Sequence, residues 1–374
     1  MAATERQIPN RIPSHSPVLI ISNEPWDGPK YSKHRYALAL SRMRKVYFLD
    51  PPSAWRPGNV FSKGFHARTA EEGITVLSYH NPLPLLSGIL SGSNDRIIIS
   101  RLREYFKTIG AKDVVVWNFD PFRITDPQAL GAYLSIYHCA DDHAFRMRGD
   151  RELALKSDHV FCVAKGLMER YFPLNTSVHH MPHGLSPKDM EPVPIGTLPL
   201  PAPPGFGLYI GNINDRHDFA LWKKAVHADP TIHWVVVGPM KVTDPAGEEL
   251  LLTHPPANLH YLGPLPYEEL RPFLSACGFG FLHAKNDQLA NRLSSQKIVQ
   301  FLALGKPVFC SWFDEFGNSE LLYMTDDHKD MLAMYSRFWS NGESPELPAR
   351  RIAQAKQWLF SEIFARAPFT FDPA

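Results

Sequence analysis

The feature that most constrains the fold is a β-α alternation that runs along the chain in two separate series. In the first half, short runs rich in β-branched and aromatic residues recur at intervals that leave room for a helix between them. These runs are SPVLIISN (16–23), KVYFLDPP (45–52), GITVLSYH (73–80), DVVVWNFD (113–120), LSIYHCAD (134–141) and HVFCVA (159–164). The alternation is typical of parallel strands joined by right-handed helical crossovers.

The same alternation resumes after the proline-rich stretch 192–205, whose composition suits an extended interdomain linker. The second series comprises GLYIGN (207–212), HWVVVGP (233–239), LHYLGP (259–264), FGFLHA (279–284) and KPVFCS (306–311). We therefore predict an α/β fold with two Rossmann-like, doubly wound domains facing a central cleft, at residues 1–187 and 188–348. A helix-like segment within 349–374 is a candidate for packing back on the first domain.

Composition places the chain among soluble globular proteins. Its 374 residues exceed what one hydrophobic core usually spans, and 44% are hydrophobic against 21% charged. Apolar runs stay shorter than the roughly 18 residues of a membrane span, and the polar N-terminus lacks the apolar core of a secretory signal. Four scattered cysteines without a CxxC pair argue against disulfides or a zinc knuckle. We expect a cytoplasmic protein.

The net charge of +1 conceals an asymmetry between the two halves of the chain. Counting Lys, Arg, Asp and Glu gives +6 for residues 1–187 and −5 for the remainder. The first half is thus a candidate to face an anionic membrane, with an ordinary solvated surface as the alternative. The apolar stretch NPLPLLSGIL (81–90) is either a lip that touches membrane or lipid acceptor, or a partly buried loop. Basic residues form no sequence cluster interleaved with aromatics, so no nucleic-acid partner is expected.

A glycine turn follows the first strand of the second series. In LYIGNINDRHD (208–218), Gly211 and Asn212 come directly after the predicted strand. A residue without Cβ at this place lets the backbone approach a diphosphate closely. The alternative is a strand-to-helix turn without a ligand, because the motif is not a complete dinucleotide fingerprint.

A second donor-site feature is the helix predicted within NRLSSQKIVQFLALGKPVFCS (291–311). Ser294 or Ser295 can cap this helix, whose free amide N–H groups and dipole favour an anion. Lys297 in the first turn adds a full charge, and Gln300 lies on the same face, where it can reach a ribose hydroxyl. The alternative is an ordinary surface helix with a solvated lysine.

Two adjacent carboxylates end a strand of the first domain. Asp141 and Asp142 lie in IYHCADDHAF (136–145), on the side of the sheet where the cleft is expected. Either can act as the general base that removes a proton from an attacking hydroxyl, and we favour Asp141. A helix cap and a metal-binding pair are the competing interpretations.

The segment after the first strand supplies candidate acceptor-side residues. Trp26, His34 and Arg35 lie in NEPWDGPKYSKHRYA (23–37) and can line the cleft from the first domain. The alternative is that they are loop and helix-face residues without a ligand.

Several of these segments together carry a family resemblance. The order LYIGNIN, HWVVVGP, NLHYLGPLPYEELRPFLSACGFGFLH and SSQKIVQFLALGKPV resembles the donor domain of bacterial family 4-like glycosyltransferases, including teichuronic acid transferases of the TuaH kind. The segments ISNEPWDGPKYSKHRYALAL, VVVWNFDP, IYHCADDH and MPHG of the first domain also look related. The resemblance implies the GT-B fold, in which two Rossmann-like domains bind a nucleotide-activated sugar.

The chain departs from family 4 where that family carries two glutamates, because Arg292 and Gln300 stand at those positions. At this helix it is similar to xanthan glucuronosyltransferases of the GumK kind, which invert the anomeric carbon. That similarity implies Asp141 as base, Lys297 and Gln300 on the donor nucleotide, and Ile213 beside its base. It further implies His283 near the sugar or phosphate. Asn214, in the same loop as Ile213, is an additional candidate donor-binding residue.

The resemblance implies transfer from a nucleoside-diphosphate sugar, with UDP favoured and no metal cofactor. The expected acceptor is a hydroxyl of a bacterial polysaccharide or a lipid-linked oligosaccharide, with the enzyme peripheral to the inner face of the membrane. Three alternatives stay open: a retaining transferase on the same fold, a sugar-nucleotide epimerase, and a non-catalytic subunit that binds a nucleotide sugar.

Overall fold

A computed structural model describes residues 7–58, 64–84, 90–142, 147–194, 201–285, 295–317 and 319–373. The chain forms two compact units. Unit 1 comprises Met1–Pro182 and Ile363–Ala374, and unit 2 comprises His183–Glu362. The division therefore falls five residues before the boundary expected at 187, and the chain returns to unit 1 near its end.

Unit 1 contains one eight-stranded sheet. Its neighbouring strands follow the order β4-β5-β3-β2-β6-β7-β8-β9, with every pair parallel except β4 and β5. The strands of unit 1 are β1 (Arg11–Ile12), β2 (Val18–Ile21), β3 (Val46–Leu49), β4 (His66–Glu71), β5 (Ile74–Ser78), β6 (Val115–Asn118), β7 (Leu134–Cys139), β8 (His159–Cys162) and β9 (Val178–His180), and β18 (Thr370–Phe371) pairs with β1.

Helices cover the sheet of unit 1, which explains why its central strands read as continuous apolar runs. The helices are α1 (Ser32–Leu40), α2 (Ser91–Thr108), α3 (Met147–Lys156) and α4 (Lys165–Tyr171), and a 3-10 turn spans Gln128–Leu130. Trp117 and Tyr36 are fully buried in this unit. Each such side chain contributes about 2–3 kcal/mol through removal of apolar surface from water.

Unit 2 repeats the architecture with a six-stranded parallel sheet in the order β14-β12-β10-β15-β16-β17. Its strands are β10 (Gly207–Ile210), β12 (Trp234–Val237), β14 (Leu259–Tyr261), β15 (Phe279–Leu282), β16 (Val308–Cys310) and β17 (Tyr323–Met324), and the short strands β11 (Ile213–Asn214) and β13 (Met240–Lys241) pair with each other. Both sheets confirm the predicted α/β class and the two Rossmann-like, doubly wound domains.

Helices alternate with the strands of unit 2 and follow the last of them, and the final helix crosses into unit 1 at Ile363. They are α5 (Phe219–Ala228), α6 (Pro245–Glu248), α7 (Tyr267–Ala276), α8 (Gln296–Ala303), α9 (His328–Asn341), α10 (Leu347–Ala355) and α11 (Phe360–Ala365); a π turn spans Glu249–Thr253, and 3-10 turns span Pro187–Met190 and Lys356–Trp358. The helix-like segment expected near the end is thus broken in two. α10 lies in unit 2, and the chain enters unit 1 only at Ile363.

Candidate functional site

Three neighbouring strands of unit 2 end in a glycine at the carboxyl edge of the sheet. Gly211, Gly238 and Gly263 follow β10, β12 and β14 and have φ angles of +128°, +146° and +71°. The Gly211 amide donates to the Val237 carbonyl, and the Gly238 amide donates to the Gly263 carbonyl, each at 2.8 Å. A Cβ on Gly238 would lie 2.0 Å from the Gly211 oxygen. This edge is therefore bare backbone that a phosphate can approach closely.

Lys297 lies against this glycine edge. A Cβ on Gly211 would lie 2.0 Å from Lys297 Cε and 2.7 Å from its Nζ. The ammonium also lies 5.4 Å from the ring centroid of Tyr209. Because Lys297 is the second residue of α8, its charge adds to the amides at the start of that helix. The structure thus brings together Gly211 and Lys297, which are 86 positions apart in the sequence.

The loop after Gly211 is held by a tyrosine and a histidine. The Tyr209 hydroxyl donates to the Asn212 carbonyl at 2.8 Å, and its oxygen lies 2.6 Å from His217 Nε2. The other ring nitrogen, Nδ1, lies 2.9 Å from the Asn214 carbonyl and 3.2 Å from the Asn214 amide. Burial lowers the pKa of His217 to about 4, which keeps the ring neutral in this arrangement. Ile213 is itself buried, with 1% of its surface exposed.

This loop also pairs with the segment that follows β15. His217 forms an isolated antiparallel bridge with Ala284. The Lys285 amide donates to the Arg216 carbonyl at 2.7 Å, and the Asp218 amide donates to the His283 carbonyl at 3.3 Å. The loop that follows Gly211 therefore lies beside the segment that contains His283.

His283 is buried at this edge, with 2% of its surface exposed. The Ser311 hydroxyl donates to the Ala284 carbonyl at 2.8 Å, and its oxygen lies 3.4 Å from His283 Nδ1. The other ring nitrogen, Nε2, has no hydrogen-bond partner among the described residues. Burial lowers the pKa of His283 to about 3. The ring is accordingly neutral at physiological pH.

Three further donor-site residues were predicted on or next to helix α8. Ser295 is the N-cap residue by position, although its side chain makes no capping hydrogen bond within the described residues. Gln300 is buried, with 7% exposed, and its contact with a ribose stays a prediction. Ser294 lies outside the described residues.

In unit 1, the structure places the two predicted carboxylates in different environments. Asp141 is exposed at the end of β7. The Asp142 carboxylate instead pairs with the Arg170 guanidinium at 2.6 Å, and its side chain is only 7% exposed. Arg170 also pairs with Asp150 at 2.9 Å. Of the two carboxylates, Asp141 therefore has the more accessible side chain.

Lys33 is a buried cation near Asp141. Its ammonium donates to Asn23 Oδ1, and only 8% of the residue is exposed. Burial lowers the pKa of Lys33, while the charges of Glu24 and Asp141 act in the opposite direction. Asp141 thus lies within electrostatic reach of the loop that follows β2.

The three residues predicted on the acceptor side are mainly buried. Trp26 and His34 are 3% and 0% exposed and pack on the Phe48 ring at centroid distances of 4.9 and 5.0 Å. His34 Nδ1 accepts from the Tyr31 amide at 3.0 Å, and Nε2 lies 2.9 Å from the Pro25 carbonyl. Arg35 is 8% exposed. These contacts fix the loop before α1, and acceptor contact by the three side chains stays a prediction.

A partly buried arginine, Arg123, which no sequence motif singles out, joins four strand ends of unit 1. Arg123 Nε donates to Asp120 Oδ2 at 2.6 Å, and the guanidinium also bonds the Ser22 carbonyl, the Asp50 carbonyl and the Tyr79 hydroxyl. Nearby, burial raises the pKa of Asp95 to about 6. Nothing in the local pattern of PFRITD distinguishes Arg123 from a solvated residue. The glycines at 238 and 263 had a visible signal, because each is followed by proline directly after a strand.

Two further findings concern metals and membranes. Among the residues that the structure describes, no group of three or more His, Cys, Asp or Glu side chains is placed to hold a metal ion. None of the described helices is both long and apolar enough to cross a bilayer.

No protein-family model matches the chain, and no curated protein sequence matches it. Solved structures with a similar fold do match it. A sucrose-phosphate synthase from Thermosynechococcus elongatus aligns with a TM-score of 0.69 at 13% identity, covering 93% of this chain and 96% of its own. Anabaena HepE, in complex with UDP-glucose, aligns at 0.61 and 12%, covering 93% and 96%.

A third similar structure is the catalytic domain of starch synthase IV from Arabidopsis thaliana, bound to ADP and acarbose. It has a TM-score of 0.60 and 9% identity, covering 94% of this chain and 99% of its own. At such identities the likeness shows the fold alone. The fold is GT-B, with two Rossmann-like α/β domains.

Proposed function

We propose that the chain is a glycosyltransferase that moves a sugar from a nucleoside-diphosphate sugar to a hydroxyl of an acceptor. The observation that carries the proposal is the Lys297 ammonium beside the bare backbone of Gly211, at the carboxyl edge of a sheet. Ligands of open α/β sheets bind at this edge, and a cation beside a glycine turn suits a diphosphate. Similar folds solved with UDP-glucose and with ADP support a nucleotide here.

In the proposed reaction, unit 2 binds the donor. Lys297, the amides at the Ser295 helix start and the Gly211–Asn212 turn stabilise the negative charge that develops on the departing diphosphate. These protein groups take the place of a metal ion. His283, whose Nε2 has no hydrogen-bond partner among the described residues, lies near the sugar or phosphate of the donor in this proposal.

Unit 1 supplies the acceptor side in this proposal. Asp141 takes the proton of the acceptor hydroxyl as its oxygen forms a bond to the anomeric carbon. The bond from that carbon to the diphosphate breaks at the same time, and the nucleoside diphosphate leaves with the electron pair. Direct displacement of this kind inverts the anomeric configuration. A retaining mechanism is the alternative, and NMR comparison of donor and product anomers separates the two.

The finer assignment rests on the sequence resemblance to family 4-like and xanthan-type transferases. We infer a UDP-sugar as donor, supported by HepE, and a bacterial polysaccharide or lipid-linked oligosaccharide as acceptor. Such an acceptor implies a cytoplasmic enzyme that works at the inner face of the membrane. The mechanism itself requires only a nucleoside-diphosphate sugar and an acceptor hydroxyl.

Calorimetric titration of UDP, GDP and ADP tests the donor site without knowledge of the acceptor. We expect one diphosphate to bind, and Lys297→Ala to weaken it by about 10-fold or more, which is about 1.4 kcal/mol. The matched control is Lys224→Ala, which removes the same charge from an exposed position on α5. Uridine should bind both variants equally if Lys297 contacts the phosphates.

The alternative functions give different results. An epimerase would convert a nucleotide sugar to an isomer without any acceptor, and a non-catalytic subunit would bind it without turnover. Equal UDP affinity of the wild type and Lys297→Ala would remove the donor site from this edge of unit 2.

A further inference from the structure

Helix α2 of unit 1 presents a stripe of cations to solvent. Arg96, Ser100, Arg103 and Lys107 are all exposed. Their spacing of three and four residues places them on one face, and the three cations fall within about 40° of helical arc over a length of about 16 Å. The stripe is invisible as a cluster in the sequence, because the buried residues Ile98, Ile99, Leu102 and Phe106 are interleaved with it.

Within the described part of the chain, none of Arg96, Arg103 and Lys107 forms an ion pair or a side-chain hydrogen bond. The exposed acid on the same helix is Glu104, which lies on the flank of the stripe rather than within it. A helix face that serves only solubility commonly pairs its charges at i and i+4, and this face does not.

The cationic surface continues past the end of the helix. Lys45 and Lys112 are exposed and, with Ile109 and Tyr47, line one shallow concavity. Ile109 is 42% exposed, so an apolar side chain lies among the cations. The acid beside this concavity is Asp113, which pairs with His15 at 2.8 Å.

The net charge of unit 1 as a whole also favours an anionic partner. Residues 183–187 carry no charged side chain, and 363–374 contain one arginine and one aspartate, so unit 1 keeps the formal charge of +6. Unit 2 carries −5. An anionic partner is therefore attracted to unit 1 and repelled by unit 2, which orients the protein before contact.

We propose that the α2 stripe, with Lys45, Lys112 and Ile109, docks on an anionic lipid bilayer. Charge complementarity identifies the partner: a planar surface of phosphate headgroups matches a straight row of cations, and exposed Ile109 fits the headgroup boundary. The α2 stripe is the surface for the membrane contact that the proposed lipid-linked acceptor implies. The docking itself does not depend on sugar transfer.

Vesicle flotation tests the docking with the full chain. We expect binding to phosphatidylcholine vesicles that contain about 30 mol% phosphatidylglycerol, weak binding to phosphatidylcholine alone, and release by added salt. Neutralising the stripe with Arg96→Gln, Arg103→Gln and Lys107→Gln should lower the partition coefficient by about 100-fold, since each cation near an anionic surface contributes about one factor of five.

The matched control removes the same charge from exposed positions of unit 2, through Lys224→Gln, Lys329→Gln and Arg337→Gln. It should bind vesicles as the wild type does. An equal loss of vesicle binding in both triple variants would overturn the proposal. So would a failure of the wild type to bind the anionic vesicles. Binding to duplex RNA that depends on the stripe, with vesicles unbound, would assign the surface to nucleic acid instead.

Two measurements keep the outcomes separate. Circular dichroism and thermal unfolding establish that the stripe variant is folded. Calorimetric UDP titration of the same variant should match the wild type, because the stripe lies in unit 1 and the candidate donor site lies in unit 2. Failure of vesicle binding therefore leaves the proposed donor site standing, and failure of UDP binding leaves the docking surface standing.

Discussion

The backbone of Gly211 is in contact with the side chain of Lys297: a β-carbon on the glycine would lie 2.0 Å from Lys297 Cε. Real Cβ atoms do not approach other carbons so closely. The lysine therefore occupies the space that any other residue at position 211 would fill. Gly211 and Lys297 lie in two segments that were predicted separately. The position of the lysine side chain depends on the absence of a Cβ at residue 211.

Gly211→Ala should displace the lysine and weaken diphosphate binding. We expect the affinity for UDP to fall by about 10-fold, as in Lys297→Ala, and the double variant to be little worse than either single one. The φ of +128° at Gly211 adds backbone strain, which should lower the stability of the fold by about 1–3 kcal/mol. Calorimetric UDP titration and thermal unfolding measure the two effects.

The variant Gly28→Ala distinguishes the effect of backbone strain from the effect of displacing the Lys297 side chain. Gly28 has nearly the same φ, +130°, but a Cβ there would meet no atom within 4 Å. This variant should lose stability and keep its UDP affinity. If Gly28→Ala weakened UDP binding as much as Gly211→Ala, the effect would be general destabilisation and not displacement of Lys297.

Asp141→Asn tests the proposed base. We expect UDP release from UDP-glucose, measured against a panel of saccharide acceptors, to fall by about 10² or more, because the amide cannot take the acceptor proton. UDP affinity should change little, since Asp141 is in unit 1 and the candidate donor residues are in unit 2.

Asp142→Asn is the comparison, because Asp142 is paired with Arg170 at 2.6 Å. We expect a loss of stability of about 1–3 kcal/mol from the partly unpaired guanidinium, with turnover within about 10-fold of the wild type. The reverse pattern, with turnover abolished in Asp142→Asn and retained in Asp141→Asn, would move the catalytic role to Asp142.

Much of the fold follows from local sequence pattern. Every run in the two predicted series contains an observed strand, since buried parallel strands need continuous apolar runs such as VLII and WVVV. The described strands outside those runs lie at sheet edges or in two-stranded sheets; they are β1, β4, β9, β11, β13, β17 and β18. For example, β4, HARTAE, is mostly exposed and lacks that signal, and β17 has two residues. The division between the units lies at 182/183, five residues from the expected 187, and its exact place depends on which segments pack together.

The candidate site was only partly predictable. Glycine after a strand and lysine at a helix start are local signals, and they identified Gly211 and Lys297. Arg123 gave no such signal, because its role comes from strand ends that the topology brings together. Burial likewise has no direct local signal: Trp26 and His34 follow a strand as ligand-binding residues often do, yet their rings pack in the core.

Acid should destabilise the protein below about pH 6.5, because four buried histidines must remain neutral in the folded state. Burial lowers the pKa of each: His34, His159 and His217 to about 4, and His283 to about 3. The unfolded chain binds a proton at each from about pH 6.5 downward, whereas the folded chain does not. The stability is thus present above that pH and is lost as the pH falls toward 4, by up to about 1.4 kcal/mol per pH unit and histidine.

Urea unfolding at about pH 7 and about pH 5.5 measures this slope. His283→Gln should reduce the slope by about one proton, whatever its effect on stability at neutral pH. The exposed His227→Gln is the control and should leave the slope in place. An unchanged slope in His283→Gln would mean that the ring gains a proton within the folded protein.

The side chain of Arg351 fixes helix α10 to unit 2. The residue is 0% exposed, and its guanidinium bonds both Glu343 oxygens at 2.6 Å, the Leu321 carbonyl at 2.9 Å and the Gly305 carbonyl at 3.2 Å. Arg351→Met would leave a carboxylate and two carbonyls without this donor. We expect a loss of about 3–5 kcal/mol in the free energy of unfolding, measured with urea.

The neighbouring residue provides the control. Arg350 pairs with Glu320 at 2.9 Å, but the two side chains are 52% and 77% exposed, so Arg350→Met should cost less than about 1 kcal/mol. Replacing the whole buried pair, as Arg351→Met with Glu343→Leu, should recover part of the loss, because no buried charge is then left unpaired. Equal effects of Arg350→Met and Arg351→Met would show that the buried guanidinium contributes no more than a solvated one, and that packing of the apolar face alone holds α10 in place.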